Sequence, residues 1–183
     1  MAVSVASPED VVNLALARIG YPKRIGSILD GSMAARLALS IYAQTRDAVL
    51  RSADWGFAGK TAALVSSGQT PPPPWSYSYT YPLDALKIRD LIITAFDPLN
   101  PLPSRWVVQN DPVAGKVIVT AVPYVDVVYT VKATNPQFWE SAFVEAVAAA
   151  LGRRLAPVLM KDSAQMAAKD EDTSSQAAIA ENE

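Results

Sequence analysis

The chain has 183 residues, of which 50% are hydrophobic and 19% are charged, and it contains neither histidine nor cysteine. This length suits one domain with a substantial core. The missing residue types exclude an imidazole base, a thiolate nucleophile, disulfides and every metal site built on His or Cys. Carboxylate-pair hydrolysis, lysine or serine-lysine chemistry and an all-oxygen metal site remain open. We therefore expect a non-enzymatic protein with no catalytic residues, no cofactor and no metal.

Charge and hydropathy are unevenly distributed along the chain. The net charge of −2 gives no electrostatic argument for nucleic-acid binding. Residues 161–183 hold two lysines and six acidic residues, a net charge of −4, which leaves +2 for the remainder. The N-terminus lacks a basic start, and the apolar stretch 142–151 is too short to cross a bilayer. We expect no secretory signal, no membrane segment and a distinct acidic extension at 161–183.

Two amphipathic helices are predicted within residues 1–56. Ser7 and Pro8 are typical of a helix start, because the serine hydroxyl can accept from a free amide and proline tolerates the first turn. Gly20 and Pro22 predict the end of this helix. A second helix is predicted from residue 32 to about 52, where apolar residues recur at helical spacing.

Residues 57–134 are rich in β-branched and aromatic residues broken by proline, glycine and Asx turns. Strands are predicted near 59–65, 76–81, 88–95, 106–109, 116–121 and 125–132. A hairpin turn is predicted from Asp111 to Gly115, since aspartate can bond its own backbone and glycine tolerates positive φ. The pattern indicates an antiparallel β lobe.

Helical periodicity returns after Asn135 and Pro136, and Trp139 and Phe143 are predicted to anchor the core. Pro157 should end or kink this helix, with a more polar helical stretch at 158–178. The predicted fold class is α+β. Residues 1–56 and 135–160 form a helical bundle, and the β lobe, 57–134, is inserted between the second and third helices.

The acidic extension, 161–183, cannot bury enough apolar surface to order itself in a lone subunit. We expect it to be mobile there or to dock on a partner. The predicted partner-binding residues in this extension are Lys161, Met166, Lys169 and Ile179.

A run of four prolines, 71–74, precedes Trp75, Tyr77, Tyr79 and Tyr81. Strand alternation places these four rings on one side, where they could cover a core or an interface. Trp75, Tyr77 and Tyr79 are therefore further candidates for partner binding. A carbohydrate- or peptide-binding module that uses the aromatic face 75–81 is the alternative function.

Two sets of charged residues are candidate sites. Aspartates at predicted strand ends and turns are a weak signal for carboxylate catalysis, because turns favour aspartate for backbone reasons; they are Asp84, Asp90, Asp97, Asp111 and Asp126. Arginines on the predicted helices could line a path for DNA; they are Arg18, Arg46, Arg51, Arg153 and Arg154. Salt bridges to Asp47, Asp54 or Glu145 are the commoner outcome for such arginines.

The order of several short motifs resembles the head-to-tail adaptor family of short-tailed bacteriophages, which includes tail tubular protein A. The resemblance spans the chain to about residue 160. It is carried by Leu16-Ala-Arg-Ile-Gly20, Ile25-Gly-Ser-Ile28-Leu-Asp30, Tyr42 with Arg46-Asp47-Ala-Val-Leu50, Trp55-Gly-Phe57-Ala58 and Tyr79-Thr-Tyr81-Pro82-Leu-Asp84-Ala-Leu86. The helix from Pro136 to Leu151 resembles the closing helix of that family.

The resemblance implies a structural virion protein at the head-tail interface, made in the cytoplasm of the bacterial host. It implies a ring of identical subunits, typically twelvefold, between the portal protein and the tail nozzle protein. The helices would face the portal and the β lobe the nozzle. Packaged DNA would pass through the lumen without sequence readout, and neither a cofactor nor a membrane is implied.

Overall fold

The structure is a computed structural model that describes residues 7–93 and 105–180, with side chains described for 7–92 and 105–161. The chain is an α+β protein with a β lobe between its second and third helices, as the sequence predicts. The helices are α1 (Pro8–Arg18), α2 (Met33–Ser52) and α3 (Ser141–Ala180). The strands are β1 (Gly59–Ala63), β2 (Tyr77–Thr80), β3 (Ala85–Ile93), β4 (Trp106–Asp111), β5 (Gly115–Thr120) and β6 (Val125–Val131).

The chain divides into two compact units. One comprises Met1–Val49 and Thr134–Glu183 and contains α1, α3 and most of α2. The other, Leu50–Ala133, contains the six strands. We call them the helical unit and the β lobe.

Helix α1 begins and ends as its sequence predicts. The Ser7 hydroxyl accepts a hydrogen bond from the Asp10 amide at 3.3 Å, and Pro8 occupies the first turn. At the other end Gly20 has a φ of 72°, and the Tyr21 amide donates to the Leu16 carbonyl at 3.0 Å. A left-handed residue followed by such a bond is a common way of satisfying the last carbonyls of a helix.

Helices α1 and α3 pack closely at Gly152. A β carbon there would lie 3.1 Å from Ile19 Cγ2 and 3.3 Å from the Ala15 carbonyl oxygen. The absence of a side chain at 152 therefore sets how near the two helices can approach.

The predicted core anchors, Trp139 and Phe143, are both buried. Their rings meet edge to face with centroids 4.8 Å apart.

The bounds of α3 differ from the predicted ones at its start and at Pro157. The helix begins at Ser141, because Asn135 and Pro136 instead start a 3-10 turn in which the Asn135 side chain accepts from the Gln137 amide at 3.1 Å. It also passes through Pro157 and runs to Ala180. Pro157 is exposed between the buried Leu155 and Leu159, so burial on both sides maintains the helical path.

The β lobe consists of two three-stranded antiparallel sheets, in the orders β1-β6-β3 and β2-β5-β4. The chain after β1 joins them: the Leu64 amide donates to the Val125 carbonyl at 3.1 Å, and the Thr80 amide donates to the Val65 carbonyl at 2.9 Å. Both sheets contribute to one apolar core, which includes Ile118 from one and Val127 from the other.

The predicted hairpin turn is present between β4 and β5. Asp111 Oδ1 accepts from the amides of Val113 at 2.8 Å and Ala114 at 2.7 Å, and Gly115 has a φ of 72°. The turn is therefore formed by the two features that predict it, the Asp111 side-chain hydrogen bonds and the positive φ of Gly115.

Candidate interaction surfaces

The aromatic run 75–81 is divided between the core and the surface. Tyr79 lies opposite Ile118 in the β2-β5 pair, and Tyr79 and Tyr81 are core residues with 7% and 9% exposure. Tyr77 is 39% exposed and Trp75 is half-buried. Tyr79 is therefore not exposed for partner binding, because it packs in the apolar core to which both sheets contribute, the other role that the sequence left open for these rings. The aromatic surface is reduced to Trp75 and Tyr77.

The aspartate at the start of β3 is held in an ion pair. Asp84 accepts from Lys60 Nζ at 2.8 Å and from the Tyr129 hydroxyl at 2.9 Å. The hydrogen bond from Lys60 lowers the pKa of Asp84, and the same bond raises the pKa of Lys60. Asp84 is therefore a stable carboxylate at neutral pH, without the raised pKa of a general acid.

The other candidate aspartates with a resolved role serve the backbone. Asp111 caps its turn, and Asp90 Oδ1 accepts from the Leu91 amide at 2.8 Å. Asp97 lies outside the described residues. In the part of the chain that the structure describes, no group of three or more Asp or Glu side chains could hold a metal ion.

Arg89 contacts the Trp55-Gly-Phe57-Ala58 motif of the resemblance. The sequence did not identify Arg89 as a functional or structural residue. Its guanidinium donates to the Trp55 carbonyl at 2.6 Å and to Thr130 Oγ1 at 2.8 Å, and it lies 3.6 Å from Asp54. A hydrogen bond from Lys87 lowers the pKa of Asp54. These contacts fix the turn that follows Trp55. Strand alternation could have placed Arg89 on a face of β3 but not identified a partner 34 residues away.

A second motif, residues 25–30, is a loop held by side chains of α1. Asn13 donates to the Ile25 carbonyl at 3.0 Å and accepts from its amide at 2.9 Å. Glu9 accepts from the Ile28 amide at 3.3 Å. Backbone hydrogen bonds, from its own amide and from Ile28, lower the pKa of Glu9. Ile25 is buried while Leu29 is 75% exposed, so a restrained loop presents an apolar side chain to solvent.

The motif on α2 supplies buried polar groups. Arg46 is 6% exposed and pairs with Asp47 at 2.6 Å. Tyr42 is also buried, and its hydroxyl is the one buried side-chain polar atom without a hydrogen-bond partner among the residues the structure describes. Burial raises the pKa of Tyr42 to about 12, so the hydroxyl stays neutral.

The helix arginines differ in their partners. Arg18 pairs with Glu145 and Arg46 with Asp47, as the salt-bridge interpretation predicts. Arg154 instead donates to two neutral groups of α2, Thr45 Oγ1 at 3.1 Å and Gln44 Oε1 at 3.4 Å. Arg153 is exposed and forms no ion pair with the described residues.

Helix α3 continues beyond the residues whose side chains the structure describes. Leu159 is its last buried side chain in the described range, and the helical backbone extends 21 residues further, to Ala180. At about 1.5 Å per residue this length of helix is roughly 30 Å. Lys161 is exposed, whereas the side chains of Met166, Lys169 and Ile179 lie outside the described range.

No protein-family model matches the chain, and neither does any curated protein. Within the described ranges, no helix combines the length and the apolar character needed to cross a membrane.

Proposed function

We propose that the protein is a structural head-to-tail adaptor that forms a ring between the portal protein and the tail nozzle of a short-tailed bacteriophage. It acts without catalysis or cofactor, and it extends the channel through which the DNA passes. The portal, the nozzle and further copies of the chain are its partners.

The supporting observation is the place of the resemblance motifs in the fold. Gly20 ends α1 in a left-handed conformation, Ile25 is clamped by Asn13, and Trp55 is held by Arg89. Tyr42 and Arg46 are buried. Each of these motif positions is either buried or held through its backbone, so the similarity lies in segments that are fixed within the fold. The helices and the β lobe that the resemblance implies are both present.

Exposed apolar side chains on turns and loops suit a protein that assembles. Leu29, Leu83, Val113 and Phe138 are all more than two-thirds exposed. Each would gain about 1.5 to 3 kcal/mol on complete burial. Leu29 and Phe138 belong to the helical unit, and Leu83 and Val113 belong to the β lobe.

The test is electron microscopy of the purified protein mixed with purified portal rings from short-tailed phages. We expect an additional ring on one face of the portal, and a ring-shaped protein unrelated to portals serves as the control. A folded protein that neither forms rings nor decorates any portal would refute the proposal. Saturable glycan or peptide binding that is lost in Trp75→Ala would favour the alternative function.

A further inference from the structure

We infer that β4 pairs with β4 of a second copy of this chain, so that the sheet β2-β5-β4 continues antiparallel across a twofold axis. The inference goes beyond the proposed ring and does not rest on it. A twofold contact joins identical surfaces, whereas the contacts of a ring join different ones. The two proposals can therefore be tested separately.

The inference starts from an open strand edge. β4 is the last strand of its sheet, and its backbone is bonded only to β5 within the described ranges. An edge strand presents a row of amides and carbonyls to the side away from its sheet. Val107 of β4 is 43% exposed, whereas Val119, which lies opposite it on β5, is 1% exposed. β4 thus combines unpaired backbone groups with an exposed apolar side chain.

The other strand edges of the described lobe have features that oppose pairing with another chain. The outer side of β2 is already bonded to the chain at 65–67, through two backbone hydrogen bonds of 2.9 Å. β3 is interrupted by two register irregularities, and it carries Lys87 and Arg89. β1 has five residues, begins at Gly59 and carries Lys60. Bulges, charged side chains and short strands are known protections of sheet edges, and glycine weakens a strand.

β4 has none of these protections over most of its length. Its pairing with β5 runs from Trp106 to Asp111 without a register shift. Residues 106–110 include no charged residue, no glycine and no proline. A regular, uncharged and partly apolar edge is the kind that pairs with another strand. Among the described strands, a second β4 is therefore the one partner edge that is equally unprotected.

The sequence of β4 also matches itself in an antiparallel register. With Val108 opposite Val108 of the partner subunit, Val107 lies opposite Gln109 of the partner subunit and Trp106 opposite Asn110 of the partner subunit. Trp106 and Val108 pack against the core of the lobe, so alternation places Val107 and Gln109 on the other face. Opposed residues of antiparallel strands share a face, and this register preserves both faces without opposing like charges.

The experiment places charges on the proposed contact. A lysine variant carries Val107→Lys with Gln109→Lys, and a glutamate variant carries Val107→Glu with Gln109→Glu. Sedimentation velocity of the full chain between about 1 and 300 µM measures association, since small interfaces are typical of weak complexes. Thr61→Lys with Ala63→Lys is the matched control, because these exposed residues also lie two apart on an edge strand, β1.

We expect the wild type and the control to dimerise alike. The lysine and glutamate variants should each need about tenfold or more protein for half-dimerisation, because like charges oppose each other across the pair. An equimolar mixture of the two variants should recover dimerisation, since unlike charges then meet. Hydrogen exchange of the wild type should slow at 106–110 as its concentration rises, but not in β1. Val107→Lys alone changes an exposed position and should also weaken the dimer if a double variant unfolds.

A wild type that stays monomeric at every concentration would overturn the inference. Association that the lysine variant leaves unchanged, or a mixture no better than its two components, would also overturn it. Full protection of 106–110 at the lowest concentration would show that the same chain covers this edge. Protection that arises only when a different protein is added would assign the edge to a strand of that protein. Either result would exclude pairing between copies.

Discussion

Replacing Phe143 by alanine tests the core of the helical unit against a control in the same chain. Phe143 is fully buried, whereas Phe138, five residues earlier, is 73% exposed. Truncating a buried phenylalanine costs about 3 to 5 kcal/mol. The edge-to-face contact with Trp139 accounts for about 0.5 to 1.5 kcal/mol of this loss. Since domains are stable by about 5 to 15 kcal/mol, Phe143→Ala should remove a large share of the stability, and Phe138→Ala less than about 0.5 kcal/mol.

The assay is urea unfolding followed by far-ultraviolet circular dichroism. Phe143→Ala and Trp139→Ala should lower the urea midpoint steeply, while Phe138→Ala should leave it near the wild-type value. A double-mutant cycle between positions 139 and 143 isolates the ring contact. Equal midpoints for the two phenylalanine variants would refute the assignment of Phe143 to the core.

Four further outcomes are expected. Gly152→Val should lower the free energy of unfolding by about 1 to 3 kcal/mol, because the side chain forces α1 away; an unchanged thermal melt would contradict this. Tyr42→Phe should leave stability unchanged or raise it by about 1 kcal/mol in urea unfolding, since it removes an unpartnered buried hydroxyl, whereas a loss would reveal a hidden partner. The lowered pKa values of Asp54 and Asp84 give stability that is present above their ordinary pKa of 3.8 and is lost as pH falls below it; melts between pH 2 and 6 should show this decline, reduced in Asp84→Asn. Deleting 161–183 should leave the melt nearly unchanged but weaken assembly on portal rings in micrographs, and full occupancy would assign docking to the helices between residues 7 and 52.

Helices and strands were predictable where a local signal fixes them. The start of α1 depends on Ser7 and Pro8, and the β4-β5 turn on Asp111 and Gly115, all within a few residues of the structure they form. The strands follow from alternation and turn residues, so their predicted positions agree with the observed ones to within a few residues. The α+β class follows from the order of these elements.

Two of the differences from the sequence prediction depend on tertiary contacts. Pro157 was expected to end or kink its helix, but α3 continues through it, with Leu155 and Leu159 buried on either side. The alternation at 75–81 was correct in placing Tyr79 and Tyr81 on one face, yet only the second sheet shows that this face is the core. In both cases the deciding partner is distant in sequence, and a local pattern contains no information about it.

The same limit explains why the sequence alone does not distinguish Arg153 and Arg154 from the other helix arginines. The charge division between residues 161–183 and the remainder is visible in the composition. Which cations stay uncompensated depends on pairings such as Arg18 with Glu145, 127 residues apart. Among the described residues, Arg154 instead contacts the neutral groups Thr45 and Gln44, and Arg153 forms no ion pair. Because each of these outcomes depends on which helix packs beside the arginine, spacing within α3 alone contains no information about it.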